Sequence, residues 1–504
     1  MNYADLFRVT LPETMLEIAA LLVLVVDLAF LRKAGLRVRA AAAALVGVVG
    51  CGAAAWAMSA TGGAALHAGD ELLLAGGGSA AVAQYGILAL TALTLLLLID
   101  SVFTRHVGEF VAVVLMAATG GLLIAAAQDL LVIFIGLELL SLGLYILTAF
   151  AKQSGRSAEG ALKYYLFGGM SAAFLLFGFS YLYGLTGSTN LQGIMQVIHS
   201  AKGANAAPLL LVSLVMIAAG LGFKVAAAPF HFWAPDAYEG APAPGAAFIA
   251  SVSKVASFAL LISIGVAGAY ASGTSNAPNE GFLGPWALVV TVLSLASMLA
   301  GNLAALAQIS VRRLLAYSAI AHAGYILLGL AFFSRSNASA AAILYYILTY
   351  GLTTIGAFGV VGVVERATGS DRMDAFLGLH KRNPLLAVVL LVLFLSLAGI
   401  PPLVGFWAKF NLFAAVLSVG AGPIAFALVA LAVALSAVSL YYYLQVLKRA
   451  FVMPAVDNSA GKVEKISVHP VTMIVLVAIA AAVVVMGCFP ALLQGWIAGF
   501  YPVT

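Results

Sequence analysis

Apolar runs of about 20 residues, each long enough to cross a hydrocarbon core as a helix, recur from one end of this chain to the other. Leu11–Leu31, Val107–Ala127 and Val471–Phe489 are three of them. A lipid-exposed backbone must satisfy its own hydrogen bonds, so these runs form helices; barrel strands would be shorter and would alternate. Charged residues fill only 9% of the 504 positions, against roughly a quarter in soluble domains. A soluble fold is thereby excluded. The expectation is an all-α polytopic membrane protein of about fourteen transmembrane helices.

The spans are expected at 11–31, 40–60, 80–99, 108–127, 130–150, 160–185 and 208–234 for the first seven, and at 244–270, 285–303, 313–333, 341–364, 384–419, 423–447 and 470–493 for the rest. Asp5, Glu13 and Glu17 stand where a signal peptide would be basic, and no cleavage site follows, so the first run is read as a span. With the ends of the odd-numbered spans on the cytoplasmic side, 17 of the 24 lysines and arginines fall there, Arg32, Lys33, Arg37, Arg39 and Lys462 among them. Only Arg8, Lys202 and Arg335 fall on the other side. That bias orients both termini outward.

Four basic residues belong to neither side: Lys163, Lys224, Lys254 and Lys409, all placed within spans. One charge at the bilayer centre costs about 2.5–3.5 kcal/mol by insertion scales, so four lysines without a use would be hard to tolerate. Lysine suits proton transfer because its pKa falls on desolvation and rises beside a carboxylate; arginine would hold its proton throughout. The carboxylate is Glu138, the single acidic residue near the middle of LVIFIGLELLSLGLY, and Lys224 is its natural partner. Lys163 stands only a few residues into span 6 and has a second reading, a side chain that snorkels to the cytoplasmic surface. Asp27, Asp100 and Asp129 lie near span ends and read as interface residues.

Two spans carry prolines. Pro229 follows Lys224 by a turn, and Pro401 and Pro402 precede Lys409. Each proline removes a backbone donor and should break its helix. Paired breaks of this kind mark a repeat transporter with its ion site at the interruptions. Spans 4–8 and 9–13 form two five-helix units, the odd number inverting the second, with a break in the fourth span of each. Four segments follow: an N-terminal three-helix part (1–107), a first repeat (108–270), a second (285–450) and a C-terminal span (470–504). The repeat sets His322 in span 10 opposite Glu138 in span 5, as a relay between Lys254 and Lys409 or as a core histidine. His231, beside the first break, has the same two readings.

Other chemistries find no footing. Cys51 and Cys488 are too few for a cysteine-ligated cluster or a disulfide framework. No GxGxxG, GxxxxGK or HExxH motif occurs, so no cofactor or metal is expected in this chain. The 51 glycines are spread through the spans, where small residues let helices approach. The net charge of +5 reflects topology rather than a nucleic-acid partner. A passive scaffold is disfavoured by the cost of the lysines.

The stretches IGLELLSLGLYILTAF, EGALKYYLFGG, GFKVAAAPFHFWAPDAYEGAPAP, FIASVSKVASFALL, SVRRLLAYSAIAHAGYILLG and SLAGIPPLVGFWAKF resemble the antiporter-like membrane subunits of proton-pumping NADH:quinone oxidoreductase, respiratory complex I. PFHFWAPDAYEGAP and SVSKVASF are similar to the N-type subunit rather than the L and M types, and the lateral helix of the L type is not seen. The resemblance implies an inner-membrane subunit that moves protons while other subunits carry electrons from NADH to quinone. It binds no cofactor itself, and its neighbours are the M-type subunit, small helical subunits and lipid. By position, Glu138 and Lys224 resemble the input ion pair, Lys163 the span 6 lysine, Lys254 the central lysine and Lys409 the output lysine. Cation/proton antiporters and membrane-bound hydrogenases share the family, and an antiporter subunit is the alternative reading.

Overall fold

The computed structural model describes residues 3–68, 71–101, 103–199, 207–271, 283–333, 337–419, 422–454 and 465–501. Lys202, Arg335 and Lys462, three of the charges used for orientation, lie outside the described residues. The chain begins with α1 (Tyr3–Val9) and α2 (Leu11–Val25), which runs into a π-turn at Val26–Phe30. Then come α3 (Leu36–Thr61), a short antiparallel hairpin of β1 (Leu66–Ala68) and β2 (Glu71–Leu74), and α4 (Gly78–Leu98). The hairpin is the one departure from an all-α description among the described residues, and it lies in a connection between spans.

The first repeat contains α5 (Val107–Ala126), α6 (Leu130–Thr148), α7 (Gly155–Thr186), a short connecting α8 (Leu191–His199), α9 (Ala207–Lys224), α10 (Trp233–Gly240) and α11 (Ala243–Ala271). The second contains α12 (Leu283–Leu306), α13 (Val311–Ala331), α14 (Asn337–Thr368), a one-turn α15 (Leu379–Arg382), α16 (Pro384–Ala398), α17 (Val404–Ser418) and α18 (Gly422–Phe451). α19 (Pro470–Cys488) and α20 (Ala491–Ala498) close the chain.

Eleven of these helices, among the described residues, are long and apolar enough to cross a membrane unbroken. The other three expected spans are interrupted. Span 1 passes through the π-turn, and spans 7 and 12 break near Pro229 and Pro401. The breaks in spans 7 and 12 are those the prolines led us to expect, and the π-turn in span 1 is not. At the π-turn Asp27 is buried, accepting from Arg39 at 2.6 Å and from the Gly108 amide at 3.2 Å. Gly108 has to be glycine, because a Cβ there would lie 2.6 Å from the Asp27 carboxylate.

Two backbone clips mark the repeat. In the first unit Leu130 N–H donates to Thr189 O and Leu191 N–H to Gln128 O, both at 2.9 Å. In the second, Val311 donates to Asp371 and Met373 to Ile309, again at 2.9 Å. Each clip ties the start of a unit's second helix to the connection after its third, and each helix start is capped from within the clip, by Asp129 or Ser310. α11 is buried along its whole described apolar stretch, α13 and α14 nearly so, while α7 and α18 form the rim. The helices that carry Lys254 and His322 are thus the most enclosed of the bundle.

Candidate functional site

The first break hands backbone groups that it frees to side chains around it. α9 ends at Lys224, and Ala226 follows with φ +58°, a left-handed conformation rare outside glycine and typical of strained functional positions. The Phe223 carbonyl accepts from the Trp233 indole at 3.0 Å, and the Ala228 amide donates to Ser297 Oγ of α12 at 2.8 Å. The Val225 carbonyl takes the Lys254 ammonium at 2.8 Å, reaching across from α11. Lys254 also donates to the Ala319 carbonyl of α13 at 3.1 Å. One lysine therefore joins the broken helix of the first repeat to a helix of the second.

On the other side of the break, Lys224 Nζ lies 3.9 Å from Glu138 Oε1. The ammonium donates to Ser141 Oγ, one turn past Glu138, and Ser141 in turn donates to the Leu137 carbonyl. The pair is loose, with a hydroxyl beside it. Glu138 is 30% exposed on this chain, on the stripe of α6 that also presents Leu131, Ile135, Leu142 and Ile146 outward. The site thus begins at the bundle surface and runs inward.

It continues along α13. His322, fully enclosed, shares its Nδ1 with the Tyr346 hydroxyl at 2.9 Å and packs its ring against Tyr350 at 4.8 Å. His322 lies one turn past the Ala319 carbonyl to which Lys254 is bonded, and its ring is 5.9 Å from that of Tyr325, the ring that Lys409 approaches. Its proposed equivalence to Glu138 needs correction, because the clips pair Leu130 with Val311 and so bring Glu138 into register with Ala319, one turn earlier. What occupies the equivalent place is a backbone carbonyl, the one that holds Lys254.

The second break is built differently. α16 terminates in the left-handed Gly399 (φ +88°), whose amide and that of Ile400 fold back on Leu395. The carbonyls of Leu397 and Ala398 are left to Lys409, at 3.2 and 2.9 Å, and Ser436 Oγ of α18 completes the ammonium at 2.7 Å. The Tyr325 ring lies 5.5 Å away, within cation–π range. Lys409 therefore reaches back onto its own broken span, whereas Lys254 reaches into a neighbouring one.

Lys163 does not join this row. α7 starts at Gly155, earlier than expected, and Lys163 sits two turns in, bonded to Glu159 at 2.6 Å and to Asp236 at 2.7 Å. Asp236 also receives Arg313 at 2.6 Å, and Arg313 reaches Glu239 at 2.9 Å. Burial opposes ionisation of Asp236, but Lys163 and Arg313 outweigh it and hold the carboxyl below its ordinary value. This seam of charges joins α7 and α10 to α13. Its members stand in APDAYEG and in the paired arginines that open span 10, two segments that hydropathy does not connect. His231 is buried with Nδ1 unpartnered, its ring stacked on Phe232 at 4.5 Å. Among the described residues no group of three or more His, Cys, Asp or Glu could hold a metal ion.

Residues 127–436 match the family described as NADH:quinone oxidoreductase/Mrp antiporter, transmembrane. The chain is 46% identical to NADH-quinone oxidoreductase subunit N 2 of Acidobacterium capsulatum, over 99% of each chain. It superposes with a TM-score of 0.75 on a chain of respiratory complex I from Thermus thermophilus, at 33% identity over 96% of this chain and 98% of that one. A chain of the Mrp complex from Dietzia sp. gives a TM-score of 0.76 at 21% identity, over 98% and 96%, which is a likeness of fold alone.

Proposed function

Because the chain belongs to the NADH:quinone oxidoreductase/Mrp antiporter transmembrane family, we propose that it is the N-type proton-translocating subunit in the membrane arm of an NADH-quinone oxidoreductase. Electron transfer from NADH to quinone takes place in other subunits and drives it; this chain carries no redox step. Its neighbours are an M-type antiporter-like subunit, small helical subunits and the bilayer of the bacterial inner membrane, with both termini outside. The two transport units are 108–270 and 285–450, with 1–107 and 470–504 as flanking segments.

The observation that carries this reading is the continuous row Glu138, Lys224, the first break, Lys254, His322, the second break, Lys409. Glu138 at the surface receives the signal from a neighbouring subunit. While Glu138 carries its charge, Lys224 is stabilised as the ammonium; withdrawal of that charge lets desolvation favour the neutral amine. The released proton passes toward Lys254, and His322 links Lys254 to Lys409. Lys409 delivers the proton on the far side of the second break. Lys163 stands apart from the row, in the charge seam that Asp236 ties to Arg313. The antiporter alternative rests on fold alone.

The test is Lys409→Ala in the assembled complex, with proton pumping in membrane vesicles normalised to subunit content. Pumping should fall at least about tenfold, since a positioned proton-transfer group contributes that or more. Lys409→Arg should not restore it, because a guanidinium keeps its proton. Normal pumping by assembled Lys409→Ala would remove the relay role.

A further inference from the structure

At the basic end of the bundle lies a cavity of about 350 Å³, rimmed by Asp100, Arg156, Glu239, Arg312, Glu365 and Arg366. Gly240 and Ala241 of the α10 end and Gly359 and Gly362 of α14 also line it. Tyr238, next in the chain to the lining residue Glu239, is fully buried, its hydroxyl without a hydrogen-bond partner and its ring 5.7 Å from that of Phe358. A buried hydroxyl left unpaired in so polar a neighbourhood is the place where water binds.

From Gly362 inward, α14 presents Phe358, Thr354, Tyr350 and Tyr346 at successive i, i+4 positions. Residues so spaced are neighbours along one ridge of a helix. Over these 16 residues the ridge climbs about 24 Å at 1.5 Å per residue. It ends at Tyr346, which bonds His322. Thr354 is buried and its hydroxyl, like that of Tyr238, has no hydrogen-bond partner. Three of the four side chains inside Gly362 thus carry hydroxyls. The exception is Phe358, and there Tyr238 supplies the hydroxyl from the facing α10.

We propose that Tyr238, Thr354, Tyr350 and Tyr346 form a hydrated proton-uptake route from the basic-end cavity to His322. The proposal rests on the proton-translocating reading above. Each hydroxyl accepts a proton from the water before it and passes its own to the water after it, then rotates back, so that one proton has moved with no net bond gained or lost. Protons arriving this way reach His322 beside Lys254, without passing the Glu138–Lys224 pair.

The experiment measures pumping in vesicles containing the whole complex, normalised to assembled subunit. Tyr238→Phe and Thr354→Val remove only the hydroxyl and should each slow pumping about tenfold or more. Thr354→Ser, which keeps the hydroxyl, should pump faster than Thr354→Val, and Phe358→Tyr in the Tyr238→Phe background should recover at least part of the lost rate. A packing role predicts neither rescue. If Tyr238→Phe fails to assemble, the contrast between Thr354→Val and Thr354→Ser decides. Parental pumping in Tyr238→Phe and Thr354→Val, with pumping lost in Lys409→Ala, overturns the route and leaves the functional reading standing. Parental pumping in Lys409→Ala as well overturns both.

Discussion

Ser141 beside Glu138 and Lys224 gives the lysine a partner that carries no charge. At 3.9 Å the ion pair is weak enough to be broken by a small displacement, and the hydroxyl keeps the ammonium bonded while that happens. Glu138→Gln and Lys224→Ala should each reduce pumping, and the double variant should lose less than their combined effect, with an interaction of about 1 kcal/mol, as for other residues sharing one network. A double-mutant cycle on pumping rate measures it; additive losses would mean that the two act independently. Glu138 and Lys224 were legible in the sequence because each is a lone charge in an apolar span, a signal that needs no tertiary knowledge. The partners of Lys254 and Lys409 were not. They are backbone carbonyls, and any residue type supplies one. Lys163 was the ambiguous case, decided by Asp236, which lies 73 residues further along the chain.

The two breaks are the elements on which the site depends, and prolines announced both. Their internal construction could not be read in the same way. The first is held open by Trp233 from beyond the break and by Lys254 and Ser297 from other spans, and the second closes on itself at Gly399. Gly399→Ala is a sensitive probe. A side chain in the left-handed region costs about 1–2 kcal/mol, and the new Cβ would stand 3.0 Å from Lys409 Cδ. The variant should lose several degrees of thermal stability and should pump less than its subunit content predicts. Parental behaviour in both measurements would show that the break does not position Lys409. His322 illustrates the opposite limit. Counting from expected span starts aligned it with Glu138, yet hydrogen bonds at the clips put the repeat one turn out of that register. Hydropathy places a span to within a few residues, and a helical turn is only 3.6.

In the whole molecule, the basic residues counted for orientation also build the seam between repeats, so the same arginines serve topology and assembly. A cysteine placed at Arg37, exposed at the start of α3, should react with an impermeant reagent only from the cytoplasmic side. Labelling from the outside would reverse the assignment of the basic end. That end matters for how the molecule responds to voltage. Glu138, Lys254 and His322 all stand near the middle of their helices. On the proposed mechanism a proton moving among them keeps close to the membrane plane and does little electrical work. The work, about 2.3 kcal/mol per charge for every 100 mV, falls on the legs that change depth, and the α14 ridge is one of them. Variants along that ridge should therefore steepen the slowing of pumping as the opposing potential builds, whereas variants of Lys224 or Lys254 should lower the rate by the same factor at every potential. On the proposed mechanism the row conducts at nearly one potential, and the membrane's back-pressure is felt only on the legs that leave its plane.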